Sequence, residues 1–169
     1  MFVLQQSTLA LLLSFASVSS ATNLQQMAPD FSPVVSSQPS DLVAHVNMER
    51  ANHGLANLCT NHKLQAAAER HIMDQFKTDF MSDTGTDNSH PEQRITDAGF
   101  EWQSVAESVD AGDANATDVL NWWMKGENRE NVLGKYTMVG TAYVYNEMTF
   151  NKHYWVQVYA TSSSEHCDS

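Results

Sequence analysis

Apolar side chains recur along this chain with two different periods, and the changes of period divide it into elements. Leu64, Ala67, Ala68, His71, Ile72 and Gln75 fall at i, i+3, i+4, i+7, i+8 and i+11. That spacing lays them along one stripe of a helix that begins near Thr60 or Asn61, with the stripe turned toward a core. Before it, Ser40 is suited to cap a helix running from Asp41 to Gly54, where glycine can serve as the stop. A polar stretch, Ser82 to Asn88, ends the second helix. Ser89-His90-Pro91-Glu92 then has capping-box spacing with proline in the first turn, which predicts a short helix reaching Gly99. From Trp102 to Val109 the period falls to two, and Val105, Glu107 and Val109 share a strand face. Ala116, Val119, Leu120, Trp123 and Met124 restore the helical period between Asn115 and Lys125. Met138–Tyr145 and His153–Thr161, rich in Val, Tyr and Trp, read as two strands joined through residues 146–152. Helices, one strand, another helix and a closing hairpin make an α+β fold, with helices covering a small, mainly antiparallel sheet.

The N-terminus bears on the compartment. Leu9 to Val18 is mostly apolar, and Ser19, Ser20 and Ala21 follow. This is the pattern of a secretory signal peptide over residues 1–21, although no Lys or Arg stands in front of it. A buried helix is the competing reading, but a terminal core helix followed by a polar tail is unusual. The run falls short of the roughly 20 apolar residues a membrane span requires. The expectation is a secreted, extracellular protein without a membrane anchor. Residues 22–39 carry Pro29, Pro33 and Pro39 among Ser and Gln and read as an extended leader. A domain is expected over 40–162 and a short tail over 163–169.

Charge narrows the partners. The formal net charge is −11. Phosphate backbones and anionic membrane surfaces repel such a chain, so nucleic acid is excluded as a partner. The two cysteines, Cys59 and Cys167, read as one disulfide in an oxidising compartment, with two free thiols as the alternative. The bridge would close a loop of roughly 110 residues and tie the tail to the first half of the fold, worth about 4–5 kcal/mol. Asn115-Ala116-Thr117 is an N-glycosylation sequon in a secreted chain.

Six segments, in order, resemble one known family. Asn47-Met48-Glu49-Arg50 followed by Gly54-Leu55 resembles the opening helix of the CAP superfamily, which includes cysteine-rich secretory proteins, antigen 5 and plant pathogenesis-related proteins. Leu64 to Met73 resembles the second helix, and Ser82-Asp83-Thr84-Gly85-Thr86-Asp87 the following loop. Val105 to Val109, Trp122 to Leu133 and Tyr154 to Gln157 resemble the strand, the helix-and-loop and the closing strand that follow. One cysteine after the first helix and one at the C-terminal end look most like secreted members from filamentous microbial eukaryotes. The chain is expected to be a monomer, and the resemblance implies a three-layer α-β-α sandwich.

It also implies a cleft that holds two histidines and two acids. Two neutral imidazoles suit Zn²⁺, with carboxylates to hold its water. In this chain the histidine positions are Asp83 and Asn128, and the acidic positions are Glu107 and Lys125. Glu107 alone keeps the family type. Oxygen donors beside a lysine form a weak cation site, so neither a metal nor another cofactor is expected. Glu107 has two open roles: a cleft residue that touches ligand, or a structural acid bonded to nearby backbone or to Asn128. His71 reads as a satisfied core histidine. Trp123 reads as core, and Trp122 as packed under a loop or turned to the cleft. The function expected is a non-catalytic secreted binding protein, with a lipid or sterol, or an extracellular protein such as a host target, as partner. A metal-dependent extracellular hydrolase is the alternative, and it lacks its imidazoles.

Overall fold

The computed structural model describes residues 36–168. The signal peptide read at 1–21 and the leader up to residue 35 lie outside the described residues. The first helix, α1, spans Gln38–Asn52. It starts three residues before the expected boundary because Pro39 is already in its first turn, where a missing N–H costs nothing. Ser40 is therefore inside the helix and does not cap it; its hydroxyl donates to the Ser37 carbonyl at 2.7 Å. Leu55 N–H closes the far end on the Arg50 carbonyl at 2.9 Å.

A two-residue strand, β1 (Cys59–Thr60), was not foreseen; it pairs parallel to the third strand. The second helix, α2 (His62–Thr78), begins where expected. Asn61 caps it by accepting from Lys63 N–H at 2.9 Å and Leu64 N–H at 3.3 Å. Every member of the expected stripe, Leu64 through Gln75, is buried. The third helix, α3, spans Pro91–Asp97. His90, not Ser89, occupies its cap position, and no side chain caps it. Ser89 cannot serve because it is buried and its hydroxyl accepts from Arg94. Gly99 closes this segment with φ +79°, a left-handed conformation suited to glycine.

The rest of the chain follows as β2 (Ser104–Ala111), α4 (Ala116–Lys125), a four-residue turn of helix α5 (Arg129–Val132), β3 (Met138–Tyr145) and β4 (His153–Thr161). The sheet runs β1-β3-β4-β2 and is antiparallel except at β1. Alternation along β4 sends Tyr154, Val156, Val158 and Ala160 toward α2, and Trp155 and Tyr159 toward α1 and α4. The result is the α-β-α sandwich. Gly140 on β3 lies so close to α2 that any Cβ there would overlap the backbone of Leu64 and Gln65. The Cys59–Cys167 disulfide is formed and holds the tail against the start of α2. Asp168 then accepts from His62 N–H at 3.0 Å, and Lys63 pairs with Glu165 at 2.7 Å.

Candidate functional site

On β2, alternation turns Glu107 to the same face as Val105 and Val109, toward α2. Its side chain is fully buried, and an unpaired carboxylate there would be costly. The partner is Arg94. Its Nη2 donates to Glu107 Oε1 at 2.7 Å and to the Asp83 carbonyl at 2.7 Å. Nη1 donates to the Ser89 carbonyl at 2.7 Å. One guanidinium thus fastens the 82–90 loop to the sheet. The expected partners of Glu107, backbone or Asn128, give way to this cation from α3. Burial pushes the Glu107 carboxyl up to about 7, against the opposing pull of Arg94.

His71 lies beside the pair, with Nε2 at 3.5 Å from Glu107 Oε1 and 2.7 Å from the Ser82 carbonyl. The Gln75 side-chain amide lies 3.1 Å from the same Nε2 and donates to the same Ser82 carbonyl at 3.0 Å, so the ring nitrogen meets both an acceptor and a donor. Burial, helped by the Arg94 charge, pushes His71 down to about 4, which keeps the ring neutral. The contact with Glu107 is therefore not an ion pair at neutral pH. His71 is buried as expected, but it is only half satisfied, because Nδ1 has no partner.

The other cleft positions are spread around this cluster. Asp83 is exposed and reaches the cluster through its carbonyl; its carboxylate accepts from Thr84 Oγ1 at 3.3 Å. Asn128 is half-buried at the start of α5, and its side-chain oxygen accepts from Asn131 Nδ2 at 3.4 Å. That same amide donates to the Glu107 carbonyl at 2.8 Å and to Ser108 Oγ at 3.2 Å. Asn128 and Glu107 are therefore linked through Asn131. Lys125, exposed at the end of α4, bonds to none of them. Arg94 and Asn131 escaped the sequence reading. A buried acid with no cation nearby in sequence was the one available signal for Arg94.

These residues do not fit a zinc site. The central carboxylate is sealed under a guanidinium, and the flanking donors are an exposed carboxylate and an amide. Among the described residues, no group of three His, Cys, Asp or Glu is placed to hold a metal ion. Trp122 is neither under a loop nor buried; it is 62% exposed. Its neighbour Trp123 takes the inward position and donates from its indole to the Val109 carbonyl at 3.1 Å. Asn115 is exposed and caps α4, accepting from Asp118 N–H at 3.0 Å. A separate groove of about 320 Å³ runs between α1 and α4, lined by His45, Met48 and Glu49 on one side and Thr117, Leu120 and Asn121 on the other. His45 Nδ1 is buried and has no partner.

Helices on both faces of a mixed four-stranded sheet, with a loop-bounded polar cluster under the β2 edge, define a small α-β-α sandwich domain. The profile of the cysteine-rich secretory protein (CAP) family matches residues 43–159, and the chain belongs to that family. Three solved structures share the fold. An extracellular SCP-domain protein from Bacillus anthracis is 18% identical with a TM-score of 0.65, covering 74% of this chain and 40% of that one. An outer surface protein from Borrelia burgdorferi is 16% identical with a TM-score of 0.67, covering 73% and 92%. A cysteine-rich secretory protein from Staphylococcus aureus is 18% identical with a TM-score of 0.60, covering 77% and 41%. The chain thus spans less than half of two of these neighbours, which are longer proteins. At such identities the likeness establishes the fold. No curated protein sequence matches the chain. Among the described residues, no helix is long and apolar enough to cross a membrane.

Proposed function

We propose that this CAP-domain chain is a non-catalytic extracellular binding protein whose ligand is a lipid amphiphile, such as a sterol or fatty acid. The observation that carries the non-catalytic reading is the Arg94–Glu107 contact at 2.7 Å. A general acid or base must reach the proton it moves. Here the one acid that keeps its family type is occupied and shielded from solvent. The hydrolase reading also needs imidazoles to hold an activating cation, and Asp83 and Asn128 supply none.

The groove between α1 and α4 supports the lipid reading. Its volume of about 320 Å³ sits at the lower end of the roughly 300–1,000 Å³ range of ligand pockets. Met48 and Leu120 offer apolar surface, and His45, Asn52 and Asn121 set polar side chains around it for a hydroxyl or carboxyl head group. Secretion through a signal peptide and a role toward a host remain parts of this proposal.

Displacement of a fluorescent sterol or fatty acid from the purified protein tests it. Saturable binding that weakens in Leu120→Asp, with an unchanged circular dichroism spectrum, is the expected result. No binding across sterols and fatty acids would sink the lipid assignment and leave an extracellular protein as the ligand class. Elemental analysis tests the other half. A tightly held equivalent of zinc per chain would overturn the non-catalytic reading.

A further inference from the structure

Among the described residues, the two most exposed large apolar side chains share one short loop. Phe150 is 91% exposed and Met148 85%, both at the tip of the hairpin that joins β3 to β4. Single exposed apolar residues are ordinary, but a pair on a projecting tip marks a contact surface.

The tip is held in shape by its own hydrogen bonds. Asp79, which follows α2, accepts from Phe150 N–H at 2.7 Å, from Asn151 Nδ2 at 3.1 Å and from the Tyr154 hydroxyl. Asn146 accepts from Met148 N–H at 2.9 Å through its side chain and from Thr149 N–H at 3.3 Å through its carbonyl. Lys152 N–H donates to Thr149 Oγ1 at 3.2 Å, and Asn146 N–H to the Lys152 carbonyl at 2.8 Å. The apolar side chains thus point outward while the backbone donors around them are answered within the protein. A loop in water has no need of this. A loop against acyl chains does, because hydrocarbon offers an N–H no partner.

Behind the tip the chemistry changes to that of a boundary layer. Tyr145, the last residue of β3, is 50% exposed and lies against His153 across the hairpin, with ring centroids 4.9 Å apart. A tyrosine suits the level of lipid head groups, since its ring and its hydroxyl prefer opposite sides. Charge selects the lipid. Residues 145–153 hold one acid, Glu147, and one base, Lys152, beside His153. Burial, helped by the Lys152 charge, pushes the His153 imidazole down and favours its neutral form. The tip is therefore neutral on a chain of net charge −11, and an anionic bilayer would repel the rest of the molecule. A fluid layer accepts a convex tip as it is, whereas a protein partner would need a preformed pocket for each side chain.

We propose that the β3–β4 tip docks this chain on a zwitterionic lipid surface, with Phe150 and Met148 in the acyl boundary and Tyr145 at the level of the head groups. The contact is independent of the α1–α4 groove. It is a reversible docking and not an anchor, since two side chains bury too little apolar surface for stable attachment.

Co-sedimentation of the secreted protein with phosphatidylcholine vesicles tests this. The bound fraction is expected to rise to saturation with lipid, and to fall at low salt when phosphatidylserine is mixed in. Phe150→Ser and Met148→Ser are each expected to weaken partition about tenfold. Their melting temperatures should not change, because neither side chain packs in the core. Trp122→Ser removes an exposed aromatic from α4 and is expected to leave partition as it was. An equal loss in Trp122→Ser would reveal general adhesion, and full binding by both tip variants would assign the contact to another surface; either overturns the proposal. Stronger binding to the phosphatidylserine vesicles would overturn the lipid class. No binding to any vesicle would leave the tip to a pocket on a protein, and the proposal would fall.

Discussion

Two opposite charges at Arg94 and Glu107 are buried within 2.7 Å of each other, and each is tolerable only because of the other. Removing one partner of a buried pair strands the survivor and typically costs about 3–5 kcal/mol. Arg94→Met is therefore expected to lose about that much in urea unfolding. The double change Arg94→Met with Glu107→Leu is expected to lose less than Arg94→Met alone, since no bare charge remains. A double-mutant cycle with additive losses would show that the pair is not coupled. Asp110, further along β2, is a different case. It accepts a long hydrogen bond of 3.4 Å from Asp113 N–H, and burial, reinforced by the Asp113 charge, pushes it up to about 6. A carboxyl whose folded pKa lies above its unfolded value costs stability as pH rises between the two. Asp110→Asn is thus expected to match the parent near pH 4 and to exceed it by about 2 kcal/mol at pH 8. A gain that is the same at both pH values would sink this account. At this scale the sequence revealed burial better than partnership. Periodicity placed His71 and Glu107 inside correctly, because inward position follows from spacing alone. It could not find Arg94, whose meeting with Glu107 depends on how α3 packs against β2.

Elements with several turns or strand residues announced themselves, and the shortest did not. The boundaries of β3 and β4 are those expected, because Val, Tyr and Trp mark them continuously. A two-residue strand such as β1 carries no pattern. It exists because Cys59 N–H and Asn61 N–H find the Thr137 and Val139 carbonyls, at 3.1 Å each. Four-residue α5 is too short for a 3.6-residue period to show. The capping signal at Ser89 misled for a related reason: the Arg94 guanidinium competes for that hydroxyl, and tertiary contact overrides a local motif. The element most dependent on a covalent bond is the tail. Cys59 and Cys167 are 108 residues apart in sequence. Cross-linking a loop of that size is worth about 4–5 kcal/mol in the chain-entropy account. Cys167→Ser is expected to lose most of this in thermal unfolding, and reductant is expected to destabilise the parent but not the variant. The Lys63–Glu165 and His62–Asp168 contacts are half-buried or exposed, and such pairs recover at most about 1 kcal/mol. A variant as stable as the parent would mean that these contacts, not the bridge, hold the tail.

For the molecule as a whole, twenty acidic side chains stand against nine basic ones. Most of the acids lie on the surface, so their repulsion acts through solvent and is open to screening. The Debye length falls from about 30 Å at 0.01 M salt to about 10 Å at 0.1 M, a change that spans the width of a small domain. Screening weakens two kinds of interaction with opposite effects. It relieves the repulsion of the excess negative charge, and it loosens exposed attractive pairs such as Arg70 with Asp87 and Asp97. Exposed pairs are worth little, commonly under about 1 kcal/mol each, whereas the excess charge of −11 acts over the whole surface. The melting temperature is therefore expected to rise by several degrees over that salt range. The buried Arg94–Glu107 pair is shielded from salt, so Arg94→Met is expected to melt lower yet rise by the same increment. A melting temperature that falls with salt would show that the Arg70 pairs outweigh the collective repulsion. A different increment in Arg94→Met would show that ions reach the pair, and with it the sealed carboxylate on which the non-catalytic reading stands.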